Sequence, residues 1–310
     1  MMRLGMVHKL GIAFTALYDE DARFKVMNRL GMCDDMPDEE YVKRQYKAIM
    51  GKELNLDNPR TFNEKLQWLK LHNRRPEYTT MVDKYAVKKY VADKIGEEYV
   101  IPTLGVWNRF DDINFAPLPE KFVLKTTHDS GGVIICKYKN KFNINDARTK
   151  IEDSLKRNFY LTGREWPYKD VKPRIIAEEY MENNDYSPLI EYKIFCFNGE
   201  PKYVLVCKGE AHGGNRTNDL YDLDFNHIPL VLTYPNTKEY DSKPQQFDDI
   251  LYCSRIVSKD IPQLRVDWYI VNNKPYFGEA TFFHDCGYCI FKPEKWDEEL
   301  GKLIDLPGVK

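Results

Sequence analysis

Residues 121–137 read KFVLKTTHDSGGVIICK. A short apolar run, Phe122-Val123-Leu124, ends in Lys125, passes through a small polar loop with Gly131-Gly132, and resumes as Val133-Ile134-Ile135 before Lys137. Two glycines between apolar runs signal a hairpin, because glycine reaches positive φ without steric cost. A plain turn accounts for the loop but not for the lysine. Side chains two apart on a strand share a face, so Val123 and Lys125 point one way and Leu124 the other. Lys125 is then expected on one layer of a sheet, beside a loop whose free N–H groups could fold over an anion. That is the layout of a phosphate site, reached without a GxxxxGK[ST] or GxGxxG pattern.

Around this stretch, 310 residues suffice for a substantial core divided over two or three lobes. A formal charge of −2 and a pI near 6.3 argue against a general nucleic-acid binder. The 21 tyrosines suit a broad cleft or a polar ligand such as a sugar, and equally ordinary packing. Seven cysteines without a regular framework suit a reducing compartment. No stretch approaches the roughly 20 apolar residues that span a bilayer, so a cytoplasmic protein is expected. Met6–Tyr18, interrupted by His8 and Lys9, reads as a docking helix rather than a signal peptide, and peripheral association with the inner face of a membrane would rest on it.

The first third reads as helical, giving an expected N-terminal region over residues 1–98. Pro37–Met50 has Asp38-Glu39-Glu40 in its first turn and Gly51 at its end; Thr61-Phe62-Asn63-Glu64 is a capping box; Thr80–Ile95 closes on Gly96. Between Arg60 and Lys89 stand eight basic residues against three acidic ones, a solvated helix face or a docking surface for a polyanion. From residue 99 the pattern is one of strands, with a helix expected over Asn145–Tyr160 and a strand at Arg174–Ala177 that runs into Glu178-Glu179-Tyr180-Met181. Glu191–Phe197 and Lys202–Cys207 form a hairpin about Asn198-Gly199, and Leu264–Val271 and Pro275–Thr281 form another about Asn272-Asn273. Phe247–Val257 and Pro293–Ile304 read as helices. The order is α+β with antiparallel sheets and no βαβ rhythm, in expected lobes 99–180 and 181–310.

The second hairpin carries two acids. Counting outward from Asn272-Asn273 places residue 267 opposite 278, so Asp267 and Glu279 lie within one bulge of facing each other. Like charges that close need a cation between them, and Mg²⁺ prefers carboxylates together with phosphate oxygens. Arg265, on the same strand face as Asp267, could neutralise it instead. If the two acids merely crowd each other, replacing either by its amide should leave the ligand-free protein at least as heat-tolerant.

Taken together, a lysine before a small glycine loop, a strand ending in Glu-Glu-Tyr-Met, a glutamate some ten residues on, and Arg-x-Asp with a glutamate across a hairpin resemble the ATP-grasp superfamily. DKYAVKKYV, FVLKTTHDSGG, EYKIFCFNGEPKY, RVDWY and the closing EEL-x-KLIDLP look like the TupA-like branch, associated with teichuronopeptide and other bacterial surface-polysaccharide synthesis; the resemblance runs from about residue 55 to the end. It implies an ATP-grasp fold, two α+β lobes clamping Mg-ATP. It implies that Lys84 and Lys125 hold phosphates under the loop His128, Ser130, Gly131 and Gly132, and that Glu178 orients Lys125 or the adenine amino group. Backbone at Glu179 and Met181 would line the adenine slot, Glu191 would take the ribose hydroxyls, Arg265 would stabilise the transferred phosphoryl group, and Asp267 and Glu279 would bind Mg²⁺. The chain departs from the family's Glu-x-Asn at Thr281, a poorer neutral ligand, which leaves the metal to lean on Asp285 or water.

Cys286 and Cys289 have knuckle spacing but no second pair follows. His284 beside Asp285 is a candidate base, a substrate contact or a structural histidine, and Arg216 a candidate carboxylate clamp or a surface charge. The activity implied is a carboxylate–amine ligase joining an acidic sugar or polysaccharide precursor to an amine or amino acid. The alternative is a sugar kinase with His284-Asp285 as base, with a glycosyltransferase behind both.

Overall fold

The computed structural model describes residues 19–209 and 214–308, and Met6–Tyr18 falls outside them. Asp19 caps helix α1 (Glu20–Arg29) by accepting from the amides of Asp21 and Ala22. Helix α2 (Asp38–Met50) ends on Gly51, left-handed at φ 69°. Thr61 and Glu64 complete both halves of the capping box that opens α3 (Phe62–His72). The single helix expected over residues 80–95 is instead α4 (Pro76–Val82) and α5 (Ala86–Ile95). Asp83 is the cause. Its carboxylate accepts from the amides of Tyr85 and Ala86 at 2.9 and 3.2 Å and so starts a new helix, while the Lys84 amide leaves to donate to Thr127 O at 3.0 Å.

The hairpin of the opening stretch forms as expected. Strands β1 (Thr103–Trp107), β2 (Phe122–Thr126), β3 (Val133–Cys136) and β4 (Ile175–Glu179) build an antiparallel sheet in the order β1-β4-β2-β3. Phe122 and Leu124 are buried on one face of β2 and pack with Ile151 and Ala147 of α6 (Ile144–Leu155) in a small core of their own. Helix α6 stops short of the expected Tyr160, because Asn158 accepts from the Tyr160 amide and begins a separate short helix, α7 (Tyr160–Gly163).

A second antiparallel sheet takes β5 (Glu191–Phe197), β6 (Glu200–Lys208), β7 (Thr217–Tyr221) and β8 (His227–Ile228). After β9 (Val231–Leu232) and α8 (Phe247–Val257) come β10 (Gln263–Val271) and β11 (Lys274–Thr281), which complete it in the order β11-β10-β5-β6-β7-β8. β12 (Phe291–Lys292) pairs with β9, and α9 (Lys295–Gly301) closes the chain over a shorter span than expected. Both predicted hairpin turns have two left-handed residues, Asn198 and Gly199 at φ 52° and 83°, Asn272 and Asn273 at φ 50° and 63°. From the second turn the register runs Val271–Lys274 to Trp268–Phe277 and then slips, so that Asp267 faces Glu279. Gly278 is the extra residue of this bulge; a Cβ there would lie 3.1 Å from Asp267 O and from the Tyr269 ring.

Helices α3 to α5 share one apolar core with this sheet, where Phe62, Leu66, Tyr78 and Val91 meet Ile194, Val204, Val266 and Trp268. The basic stretch between Arg60 and Lys89 is therefore not one face. Lys70 is fully buried, Lys65 reaches Ile304 O at 2.7 Å, and Arg74 pairs with Asp38 at 2.7 Å. Charges spread over three helices at these spacings point in different directions, and Lys84 and Lys88 turn to the Asp129 carbonyl and to Glu178. No described helix is long and apolar enough to cross a membrane.

Candidate active site

Lys125 leaves the face of β2 opposite Leu124, and its ammonium meets Glu178 Oε2 at 2.5 Å; Lys88 of α5 meets the other oxygen at 2.6 Å. Burial works to raise the Glu178 carboxyl, but the two lysines outweigh it and hold it below its ordinary value. Lys84, freed by the helix break, donates to the Asp129 carbonyl. Its own pKa is lowered, by burial first, against the fields of Glu279 and Asp129. Asp129 is buried and fastens the loop from below through Thr126, Ser154 and Arg157. Gly132 sits where any Cβ would strike the Thr126 and Ser154 hydroxyls. The amides of His128 to Gly132 meet no protein acceptor among the described hydrogen bonds, and Ser130 and Gly131 form the exposed tip. The His128 ring turns to Arg157 O at 3.1 Å, so the loop offers backbone rather than imidazole.

The second sheet supplies the other wall. Arg265 Nε and Nη2 each donate to Asp267 at 2.7 Å, and Nη2 also reaches Glu279 Oε1 and Thr281 Oγ1 at 3.1 Å. Lys193, one strand over, meets Asp267 Oδ2 at 2.6 Å. Burial would raise the Asp267 carboxyl, yet Arg265 and Lys193 pull it down to about 2, and Arg265 in turn is held well above its ordinary range. The guanidinium thus takes the neutralising place between the two acids. Carboxylate and hydroxyl oxygens are the kind Mg²⁺ takes; both Asp267 oxygens are engaged by Arg265 and Lys193, and Glu279, half exposed with Oε2 outside every described hydrogen bond, is the open donor. Thr281 Oγ1 donates to Glu279 Oε1 at 3.3 Å, orienting that carboxylate.

Glu191 and Arg216, expected to serve different ligands, pair with each other at 2.5 Å, and Tyr269 donates to the remaining Glu191 oxygen at 2.9 Å. The spacing along the chain conceals this, since Arg216 comes near Glu191 only because β6 pairs on one side with β5, Glu191 opposite Cys207, and on the other with β7, Lys208 opposite Thr217. His284 is buried at 5% exposure, and Arg265 Nη1 donates to its Nδ1. A guanidinium can only donate, so the ring is the neutral tautomer with its proton on Nε2. His284, Asp285 and Cys289 bring ligand atoms within 4.8 Å of one another. That tautomer leaves no ring lone pair for a metal, and the trio is not a metal centre.

The profile of the TupA-like ATP-grasp family matches residues 64–305. The chain belongs to this family. No curated protein matches it. Among solved structures, a D-alanine–D-alanine ligase from Bacillus anthracis complexed with ATP is 17% identical with a TM-score of 0.38, covering 66% of this chain and 55% of its own. The corresponding ligase from Helicobacter pylori is 13% identical with a TM-score of 0.41, covering 79% and 69%. A D-cycloserine synthetase is 16% identical with a TM-score of 0.37, covering 66% and 62%. The chain thus spans little more than half of the first of these structures.

In this TupA-like ATP-grasp protein the two walls meet at Lys84, which feels Glu178 and Lys125 from the first sheet and Glu279 from the second. Lys88 and Lys193 belong to the same cleft but are not among the residues singled out from sequence. Lys88 carries a usable signal, four residues after Lys84 in a helical stretch; Lys193, alternating with Glu191 on β5, carries a weaker one. Glu179 and Met181 lie at the end of β4, where the Glu179 amide donates to Pro102 O at 3.1 Å.

Proposed function

We propose that the protein is an ATP- and Mg²⁺-dependent carboxylate–amine ligase acting on an acidic sugar of a bacterial surface polysaccharide. A substrate carboxylate would take the γ-phosphoryl group of ATP, giving an acyl phosphate and ADP. An amine or amino acid would then displace inorganic phosphate and leave an amide. Lys84, Lys88 and Lys125 with the loop amides are suited to the phosphates, and Arg265 to the group in transfer. Asp267, Glu279 and Thr281 are the residues that would hold Mg²⁺, which when bound neutralises phosphate charge and polarises the phosphoryl group. The family membership supports the nucleotide, and the substrate class rests on the resemblance of the sequence motifs to the TupA-like branch.

One observation favours a ligase over a sugar kinase. A hydroxyl acceptor needs a general base, and His284 has its Nδ1 taken by Arg265 while burial pushes its pKa down to about 4. A carboxylate nucleophile is already ionised at neutral pH and needs none. The test is ADP and phosphate release against a panel of uronic acids, with and without amino acids. Both products are expected only when carboxylate and amine are present together. A stable phosphomonoester on the sugar, formed without amine and seen by phosphorus NMR, would overturn the reading in favour of the kinase.

A further inference from the structure

The turn after β11 is backbone that most sequences avoid. Asp285, Cys286 and Gly287 lie in succession at φ 45°, 55° and 69°, and two of them carry side chains. Such a run persists only where its surroundings over-determine it. Here the surroundings are one face of α3. Asn63 both donates to Cys289 O (3.0 Å) and accepts from the Cys289 amide (2.7 Å); Gln67 Nε2 donates to Cys286 O and Gly287 O at 3.1 and 2.8 Å. Lys70 Nζ donates to Cys286 O at 2.8 Å, Cys286 Sγ at 3.2 Å and Gly163 O at 2.9 Å, and lies over the Phe283 and Tyr288 rings. All three side chains are fully buried, at positions i, i+4 and i+7 of one helical stripe. Lys70 makes no described ion pair: two carbonyls, a thiol and two aromatic faces hold its ammonium, and the nearest compensating field is that of the buried Glu165 carboxyl, which also reaches the Cys286 thiol. From the other side Thr233 donates to Asp285 Oδ2 at 2.7 Å.

The strained turn begins at His284, whose Nδ1 accepts from the guanidinium that also spans Asp267 and Glu279. We infer that the Asn63–Gln67–Lys70 stripe is a positioning device, which holds the 284–289 turn so that His284 presents Nδ1 to Arg265 and fixes where the guanidinium points. The imidazole then works as an acceptor that aims Arg265, with Lys70 the residue on which the turn depends most. A core helix of an ordinary fold would fill this stripe with leucine; three buried polar side chains spent on one turn imply that its conformation matters to the site.

The variant is Lys70→Met, which keeps the length and removes the three donors, with Gln67→Leu as the milder second variant. Long-range ¹H–¹⁵N NMR of the imidazoles reads the tautomer of His284 directly and needs no substrate. Wild type should show one Nε2–H form; Lys70→Met should show a mixture of tautomers, with Gln67→Leu in between. The turnover arm rests on the ligase reading: kcat should fall about 10–100-fold while nucleotide affinity stays within about twofold, because the phosphate-side lysines are untouched. Lys70→Arg, which retains donors, should recover part of the loss. A single unchanged Nε2–H signature in folded Lys70→Met would overturn the inference, as would a loss of nucleotide affinity equal to the loss of kcat. Wild-type protein that turns over no carboxylate and amine pair would refute the ligase reading alone, and the tautomer would still decide this one.

Discussion

Acid should loosen this protein through His284, and the size of the effect follows from the site. The imidazole is enclosed, edge-on to Phe195 at 5.0 Å, with Nδ1 facing Arg265. Burial, aided by Arg265 and Lys193 and opposed by Asp285 and Asp267, takes its pKa from 6.5 to about 4. The folded value lies below the unfolded one, so as pH falls the unfolded chain takes up its proton first. Stability is therefore whole above about pH 6.5 and is lost progressively down to about pH 4. The gap, 6.5 less about 4, is about 2.5 units, which at about 1.36 kcal/mol per unit amounts to about 3 kcal/mol. Carboxylates titrate over part of the same range, so the informative quantity is the difference between wild type and His284→Asn, whose amide oxygen replaces Nδ1 as acceptor for Arg265. Urea unfolding followed by tryptophan fluorescence from about pH 7.5 to about pH 4.5 should show wild type losing about 2–3 kcal/mol more than the variant. A stability difference that stays flat over this range would refute the reasoning.

Two further outcomes follow from the cleft. Asp267→Asn should destabilise the ligand-free protein by about 3 kcal/mol, since it removes the buried carboxylate that Arg265 and Lys193 share and leaves them only the more distant Glu279 and Glu191; calorimetry that finds an unchanged or raised melting temperature would restore the crowded-carboxylate expectation drawn from sequence. Lys125→Met should weaken binding of a nonhydrolysable ATP analogue by about 10–100-fold through loss of a charge-assisted contact, and titration calorimetry showing full affinity would remove Lys125 from the phosphate site.

Features written locally were legible in the sequence. Thr61 and Glu64, Asn198-Gly199 and Asn272-Asn273 each name a cap or a turn through residues within a few positions of one another, and the count outward from Asn272-Asn273 was enough to bring Asp267 to Glu279 with one bulge. The family and its fold were readable from motifs in order, with residues 64–305 matched. What stayed hidden depends on partners far along the chain. Lys70 stands among the basic residues of a possible solvated face, and nothing near it in the chain marks it or Gln67 as buried, because carbonyls they satisfy lie more than 200 residues away, at Cys286 and Gly287. Asp83 split a continuous helical pattern because Thr127 competes for the next amide. Arg265 could be seen beside Asp267, but only the folded hairpin shows that it reaches both acids and the histidine at once.

The pairing of Glu178 with Lys88 and Lys125 has a consequence for any anion that enters the cleft. A free lysine gives up roughly 1.5–2 kcal/mol of rotamer entropy when it is immobilised. Here one buried carboxylate has already halted both chains, from two different elements, with their ammonium groups converging. An incoming polyanion would meet cations that no longer have conformations to lose, and the ordering would be debited to folding instead of to association. Affinity at such a site is governed less by how many charges are present than by how still they were beforehand.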